Sequence, residues 1–186
     1  GHKYLSDLYE RGVRNFVVSE LPENMDHYEN TNFLQVPHPL KALQRLVEKY
    51  RLQFDVPVIG VTGSNGKTVV KEWLYQLLSP ERIITRSPRS YNSQIGVPLS
   101  VWLMNDKTEL GIFEAGISEM GEMEALQSII RPTVGILTNI GGAHQENFYS
   151  TSEKCMEKLL LFKDCDVVVY DADDELIRDR KSTRLN

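Results

Sequence analysis

Short apolar segments alternate with helical segments from residue 55 onward, and this alternation restricts the fold more than any other feature. Five segments are rich in Val and Ile and have the length of buried strands: 56–61, 82–86, 110–115, 134–140 and 167–172. Helical patterns separate them: about 67–78, 94–104, 121–130 and 151–163. Such alternation forms right-handed crossovers and a sheet covered on both faces. The sequence therefore predicts an α/β fold with a mostly parallel sheet and helices on both faces.

Residues 1–54 follow a less regular pattern and are predicted to belong to a separate small α/β domain. Two helical patterns, 3–11 and 38–50, enclose two strand patterns, 15–20 and 33–37. Because a helix begins almost at once, we expect this part to be the C-terminal portion of an N-terminal domain. Residues 55–178 are predicted to form a central domain that is incomplete.

The last residues, 179–186, fit no predicted element and interrupt the acidic character of the chain. Their sequence, DRKSTRLN, matches the translation of a common sequencing-adapter oligonucleotide. Our hypothesis is that this tail is not native, so it is excluded from the fold prediction.

The segment TGSNGKT, residues 62–68, connects a predicted strand directly to a predicted helix. In this context, glycines let backbone N–H groups converge on phosphate oxygens, and the helix N-terminus adds the positive end of its dipole. Lys67 would reach the β and γ phosphates of a nucleotide, and Thr68 would offer its hydroxyl to Mg²⁺. The predicted phosphate-binding residues are Gly63, Ser64, Asn65, Gly66, Lys67 and Thr68. Val61 stands where the strict P-loop pattern has glycine, so a simple glycine turn that caps a helix is the alternative.

Three more candidate residues follow or lie near other strand ends. Glu114 ends an apolar strand, where burial of an acid is costly without a cation or donor, so Mg²⁺ is a natural partner. The alternative for Glu114 is a carboxylate at a solvated loop mouth. His144 follows a glycine-rich turn, and Lys158 lies fourteen residues later. Taken singly, such a histidine is more often structural and such a lysine more often solvated.

The helix that carries Lys158 has a recognisable start. Ser150 and Glu153 form the S-x-x-E pattern of a capping box, which predicts a first helical residue near 151. Lys154 and Lys158 then stand four residues apart on one flank, where two positive charges repel each other mildly.

Charge and hydropathy argue against two classes of partner. The chain has a formal net charge of −5, and no basic stripe precedes its last residues, whereas nucleic-acid binding normally needs clustered Lys and Arg. No apolar run approaches the roughly 20 residues that span a bilayer, and no signal-peptide pattern is present. We therefore expect a cytoplasmic protein with no nucleic-acid partner and no membrane span.

Four separated motifs resemble, in their order, those of the Mur ligases of peptidoglycan assembly. They are GVTGSNGKT at 60–68, the strand-end Glu114, TNIGGAH at 138–144 and EKLLLF at 157–162. The segment YNSQIGVPLSVW, 91–102, is most similar to the branch that uses D-Ala-D-Ala. The stretch 113–148 looks like the ligases that are fused to an alanine racemase. The resemblance covers about residues 1–178.

This resemblance implies an ATP site with two Mg²⁺ ions, in which Lys67 holds the γ phosphate. Thr68 and Glu114 would bind one Mg²⁺, and His144 would help to bind the second. Lys158 matches a family lysine that is carbamylated by CO₂. A neutral amine must react, and the product is an anion that a divalent cation can hold. Lys67, His144 and Lys158 are therefore the catalytic candidates.

The activity implied is an ATP-dependent amide ligation. The terminal carboxylate of UDP-N-acetylmuramoyl-tripeptide would attack the γ phosphate of ATP to give an acyl phosphate. The amine of D-Ala-D-Ala would then displace phosphate, with Asn92 and Ser93 on the substrate side. The family also has a C-terminal domain that closes over the nucleotide, so we expect this chain to be inactive alone. The alternatives are another Mur-like ligase, of folylpolyglutamate or cyanophycin synthetase type, and a P-loop nucleotide-binding module that makes no amide bond.

Overall fold

The computed structural model of the chain describes residues 1–141, 148–174 and 177. By contacts the chain divides into two compact units, residues 1–43 and 44–186. The predictions made for His144 and for the tail 179–186 lie outside the described residues.

The first unit contains a two-stranded parallel sheet. A 3₁₀ turn at His2–Tyr4 leads into α1 (Leu5–Glu10), and strands β1 (Asn15–Val18) and β2 (Asn32–Gln35) pair in parallel. A second 3₁₀ turn, Met25–His27, lies between the strands. Apolar and aromatic side chains form the core of this unit: Leu5, Leu8, Tyr9, Phe16, Val18, Tyr28 and Phe33. The helix and the two strands predicted for this part are confirmed.

The helix α2 (Pro39–Arg51) begins in the first unit and ends in the second. Its Val47 is fully buried, the Tyr50 hydroxyl donates to the Met104 carbonyl at 2.6 Å, and Arg51 Nε donates to the Ile130 carbonyl at 3.0 Å. These contacts explain why the division falls inside α2. The domain boundary predicted at residues 54 and 55 stays a prediction.

The second unit is built on a five-stranded sheet in which every pair is parallel. Its strands are β3 (Val58–Thr62), β4 (Ile84–Arg86), β5 (Leu110–Glu114), β6 (Val134–Leu137) and β7 (Val167–Val169). Their order across the sheet is β4-β5-β3-β6-β7. The predicted mostly parallel α/β sheet is confirmed. Strand β4 is shorter than the predicted 82–86; the Ile83 N–H donates to Glu109 Oε2 at 2.7 Å, and the Ile83 carbonyl accepts the Glu109 N–H at 2.8 Å.

Helices connect the strands in the predicted order. They are α3 (Lys67–Leu78), α4 (Gly96–Val101), α5 (Glu122–Ile130) and α6 (Thr151–Leu159), and α6 continues as a 3₁₀ turn at Leu160–Phe162. Helix α3 packs on β3, β4 and β5, while α4, α5 and α6 contact one another in turn. Given the strand order, right-handed crossovers place α3 on one face of the sheet and these three helices on the other.

This arrangement creates a switch point in the sheet. The chain leaves β3 toward α3 on one face, and it leaves the neighbouring β6 toward α6 on the opposite face. In open α/β sheets, ligands bind in the crevice at the carboxyl ends of strands at such a point. The residues that follow β3, β5 and β6 therefore form the expected site. No helix of the described part of the chain is both long and apolar enough to cross a membrane.

Candidate nucleotide-binding site

The glycine-rich loop leads from β3 into α3, as predicted. Gly63 has φ +143°, and a Cβ at this position would lie 2.0 Å from Thr138 Oγ1 and 3.0 Å from the Asn139 nitrogen. Only glycine fits, because the loop that follows β6 occupies the space that a side chain would need. Gly66, with φ +81°, is the residue before the first turn of α3.

Hydrogen bonds from both backbone and side chains fasten this loop to the segment after β6. Ser64 N donates to the Asn139 carbonyl at 2.9 Å, and Asn65 N donates to Asn139 Oδ1 at 3.0 Å. In the other direction, Thr138 Oγ1 donates to the Asn65 carbonyl at 2.6 Å. Gly141 N donates to Ser64 Oγ at 2.8 Å. The sequence analysis did not single out Asn139, although its place in the TNIGG turn was the available signal.

The N-terminus of α3 points its free donors at the mouth of the loop. No side chain caps this helix. The first N–H groups of an α-helix have no acceptor within the helix, and they carry the positive end of its dipole. An anion is therefore favoured beside Gly66 and Lys67.

Lys67 and Lys158 converge on the loop. Lys67 Nζ donates to the Gly63 carbonyl at 2.8 Å, with the Ser64 carbonyl at 3.4 Å. Lys158 Nζ donates to the same Gly63 carbonyl at 3.2 Å. The side chain of Lys158 is buried, so the alternative of a solvated lysine is wrong.

The local start of α6 aims Lys158 at the loop. Ser150 Oγ accepts the N–H of Glu153 at 3.1 Å, and the helix begins at Thr151, which confirms the predicted cap. One turn before Lys158, Lys154 is also buried and donates from Nζ to the Gly141 carbonyl at 2.6 Å.

Burial and neighbouring cations change the proton affinity of these lysines. The pKa of Lys158 falls from its ordinary 10.5 to about 7, first because of desolvation and then because of the charges of Lys67 and Lys154. The pKa of Lys67 is also lowered, mainly by burial, while the Glu114 carboxylate opposes that shift. Near neutral pH a substantial fraction of Lys158 is therefore the neutral amine.

Glu114 lies at the end of β5 and is completely buried, so the alternative of a solvated carboxylate is wrong. Its Oε2 accepts from Thr68 Oγ1 at 3.0 Å and from Asn92 Nδ2 at 3.4 Å. Its Oε1 accepts no hydrogen bond of good geometry but lies 2.9 Å from Lys71 Nζ as an ion pair. The cation expected beside a buried Glu114 is thus Lys71, which lies on α3 one turn after Lys67.

The two substrate-side candidates take different positions. Asn92 reaches Glu114, and its carbonyl accepts the N–H of Gly116 at 2.7 Å. Ser93 does not reach the carboxylate in this arrangement: its Oγ accepts the N–H of Gly96 at 3.1 Å, at the start of α4. Ser93 therefore has a local structural contact, and its predicted role toward substrate stays a prediction.

The oxygen atoms of Thr68 and Glu114 suit a magnesium ion. Mg²⁺ prefers oxygen ligands and is commonly held by one or two protein oxygens together with phosphates and waters. The Thr68 hydroxyl and the Glu114 carboxylate lie 3.0 Å apart beside the glycine-rich loop, which fits that mode of binding. Among the described residues, no group of three or more His, Cys, Asp or Glu side chains could hold a metal by itself.

The fold and the site together define a parallel α/β domain with a glycine-rich loop between a strand and a helix N-terminus, the class of domain that includes nucleotide-binding proteins. The family model of the Mur ligase middle domain matches residues 61–185, and the chain belongs to that family.

Two relatives and one solved structure illustrate the similarity. The chain is 31% identical over 185 residues to the UDP-N-acetylmuramoyl-tripeptide–D-alanyl-D-alanine ligase of Bacillus subtilis (strain 168), covering 98% of this chain and 40% of that protein. The ligase of the same name from Borreliella burgdorferi is 36% identical over 161 residues, covering 84% and 34%. The structure of MurF ligase from Thermotoga maritima in complex with ADP has a TM-score of 0.85 at 27% identity, covering 98% and 42%. The chain thus spans less than half the length of these proteins.

Proposed function

We propose that the protein to which this chain contributes is an ATP-dependent amide ligase of peptidoglycan precursor synthesis. It joins D-Ala-D-Ala to UDP-N-acetylmuramoyl-tripeptide. The observation that carries the proposal is the meeting of Lys67 and Lys158 at the Gly63 carbonyl, within a chain of the Mur ligase family. Two relatives are ligases named for these substrates, and a similar MurF structure contains ADP, which supports the same assignment.

In this proposal the glycine loop and the start of α3 hold the phosphates of ATP. The residues involved are Gly63, Ser64, Asn65, Gly66, Lys67 and Thr68. Lys67 exchanges its two neutral carbonyl partners for the γ phosphate. This exchange is favourable because a hydrogen bond between two charged groups is roughly twice as strong as one between neutral groups.

Thr68 and Glu114 are proposed to hold one Mg²⁺ ion. A Mg²⁺ ion held by these two residues would supply positive charge beside the phosphoryl group that is transferred. The burial of Glu114 supports this role, because a buried carboxylate interacts strongly with a cation.

The second metal site is proposed to use a carbamate on Lys158 together with His144. The lowered pKa of Lys158 supports this step, because CO₂ adds to the neutral amine and the product is an N-carboxylate with release of a proton. The new negative charge would lie near Lys67 and Lys154, so repulsion between cations would become attraction.

The chemistry assigned to the chain is positioning and electrostatics. Lys67 and the loop N–H groups orient the γ phosphate of ATP. Asn92 and Ser93 are proposed to lie on the side from which the tripeptide carboxylate approaches to form the acyl phosphate. The amine of D-Ala-D-Ala then displaces phosphate to form the amide. No protein nucleophile takes part. The increase in reaction rate comes from holding the reactants in line.

The remaining parts of the proposal concern the longer protein. Residues 1–54 would end the domain that holds the UDP substrate, and residues 55–178 would belong to the central ATP-binding domain. A C-terminal ligase domain and fusion to an alanine racemase are two further predictions from the resemblance. A cytoplasmic location is proposed because ATP is supplied there.

The test is phosphate release by the full-length protein with ATP, UDP-N-acetylmuramoyl-tripeptide and D-Ala-D-Ala, omitting each in turn. We expect release only with all three. Release without the peptides would overturn the assignment and favour a nucleotide-binding module that makes no amide bond. Acceptance of folate or cyanophycin precursors in place of the muramyl tripeptide would favour another ligase of this type.

The role of Lys158 has its own measurement. With ¹³C-bicarbonate, we expect a carbamate carbon signal in the wild type and in Lys163→Ala, which changes an exposed lysine nearby. Lys158→Ala should lose both that signal and most of the activity. A carbamate signal that survives in Lys158→Ala would exclude Lys158 as the modified residue.

A further inference from the structure

Lys71 is a completely buried lysine that lies one helical turn beyond Lys67. Its Nζ lies 2.9 Å from Glu114 Oε1 and donates to the Ser87 carbonyl at 2.8 Å and closely to the Arg89 carbonyl. Its second carboxylate neighbour is Glu72, at 3.0 Å, whose side chain is 33% exposed and also pairs with Arg86. Burial of an ammonium group is costly unless it is paired and hydrogen-bonded, and these contacts meet that requirement.

The two carboxylate oxygens of Glu114 have different partners because one of them contacts Lys71. Oε1 lies against Lys71, and Oε2 is left to face Thr68 Oγ1 and Asn92 Nδ2. A carboxylate with only one of these partners could rotate. With both, its Oε2 is held toward the hydroxyl beside the phosphate-binding loop.

Lys71 also fixes the segment that carries Asn92. Its two carbonyl acceptors, those of Ser87 and Arg89, lie between β4 and Asn92. Ser87 Oγ in turn accepts the N–H of Glu114 at 3.1 Å. One ammonium group therefore joins α3, the end of β5 and the segment after β4, which are the parts that supply Thr68, Glu114 and Asn92.

We propose that Lys71 is a positioning residue of the nucleotide–metal site: it holds Glu114 Oε2 toward Thr68 and keeps Asn92 on the same carboxylate. The proposal rests on the metal-binding role proposed above for Thr68 and Glu114. It assigns Lys71 no contact with nucleotide, and Lys71 acts only through Glu114 and the segment from Ser87 to Asn92.

The test uses the full-length protein and the fluorescence of a labelled ADP, read as a function of Mg²⁺ concentration. We expect Lys71→Met to raise the Mg²⁺ concentration for half-maximal nucleotide binding by tenfold or more. Nucleotide affinity in EDTA should stay within twofold of wild type, because the glycine loop is unchanged. The matched control is Glu72→Gln, which removes the other carboxylate beside Lys71 and should leave the Mg²⁺ requirement unchanged. An equal Mg²⁺ requirement in Lys71→Met and Glu72→Gln would overturn the proposal.

The Lys71→Met variant leaves a buried carboxylate unpaired and could fail to fold. The double variant Lys71→Met/Glu114→Gln removes both charges and is compared with Glu114→Gln alone. If Lys71 acts through Glu114, the two have the same Mg²⁺ requirement. A further rise of threefold or more in the double variant would show an independent action and contradict the proposal. These binding measurements need no peptide substrate, so their failure is distinguishable from failure of the proposed ligase activity.

Discussion

Lys67 and Lys158 donate to one carbonyl oxygen, that of Gly63, at 2.8 and 3.2 Å. The two lysines are far apart in the sequence: Lys67 lies in the first turn of α3, and Lys158 lies in the last turn of α6. The Lys67 ammonium and the partly protonated Lys158 share a neutral acceptor, so positive charge remains at the mouth of the loop. Such a cluster favours a phosphate or a carbamate, since either anion would compensate that charge.

The pH dependence of the free energy of unfolding should reveal the titration of Lys158. Its pKa is about 7 in the folded chain against an ordinary 10.5, so between these values the unfolded chain binds more protons. The free energy of unfolding should therefore rise with pH in this window, relative to Lys158→Met, by about 2 kcal/mol from pH 7 to pH 9. Urea denaturation in bicarbonate-free buffer measures this rise in the free energy of unfolding. Lys163→Met serves as the control, and parallel profiles of wild type and Lys158→Met would contradict the lowered pKa.

Gly63→Ala should destabilise the chain and abolish nucleotide binding. The new Cβ would lie 2.0 Å from Thr138 Oγ1, so the loop after β6 would have to move, at a cost of about 3 kcal/mol or more. Gly121→Ala is the matched control, because Gly121 also has a positive φ, +84°, but a Cβ there meets nothing within 4 Å. That control should cost only about 1 kcal/mol. Chemical denaturation measures the free energy of unfolding of both variants. Similar losses of stability would show that backbone strain alone, and not the clash with Thr138, determines the cost.

Thr68→Val should weaken nucleotide binding only when Mg²⁺ is present. The variant keeps the shape of the side chain but removes the hydroxyl that lies 3.0 Å from Glu114 Oε2. We expect the Mg²⁺ requirement for binding of labelled ADP to rise by tenfold or more, with little change in EDTA. Thr68→Ser keeps the hydroxyl and should behave as wild type. Equal Mg²⁺ requirements in the Val and Ser variants would rule out a metal role for this hydroxyl.

Asn139→Ala should loosen the phosphate-binding loop. The substitution removes the Oδ1 acceptor of Asn65 N, a hydrogen bond of about 1 kcal/mol, which corresponds to roughly fivefold in nucleotide affinity. Asn105→Ala is the matched control, because Asn105 Oδ1 makes a similar bond to Lys107 N in a turn before β5. Titration with labelled ADP should separate the variants, and equal affinities would show that Asn139 does not fasten the loop.

The fold could be predicted well from the sequence because strand and helix periods are local. Helix α3 has its predicted bounds, and α6 begins where the Ser150 cap places it. Strand β4 and helix α4 are shorter than predicted, because the ends of short elements depend on the surrounding tertiary contacts and not only on the local pattern.

The site could be predicted only in part. Lys67, Thr68 and Glu114 were singled out because each sits in a recognisable local context, and the structure brings Thr68 Oγ1 to 3.0 Å from Glu114 Oε2. Asn139 and Lys71 were not singled out: the TNIGG turn was the available signal for Asn139, whereas the residue type and spacing of Lys71 are those of an ordinary helix lysine. Their contacts are with residues far along the chain, Glu114 for Lys71 and Asn65 for Asn139, which no local pattern reveals.

The order of elements, the glycine loop and the start of α6 were determined by consecutive residues, whose backbone preferences and periodicity act over a few positions. The tertiary structure alone decided that Lys158 is buried against Gly63 and that Lys71 neutralises Glu114. Burial and ion pairing depend on which distant segments meet, and only the parallel order of the strands brings the ends of β3, β5 and β6 to one edge of the sheet.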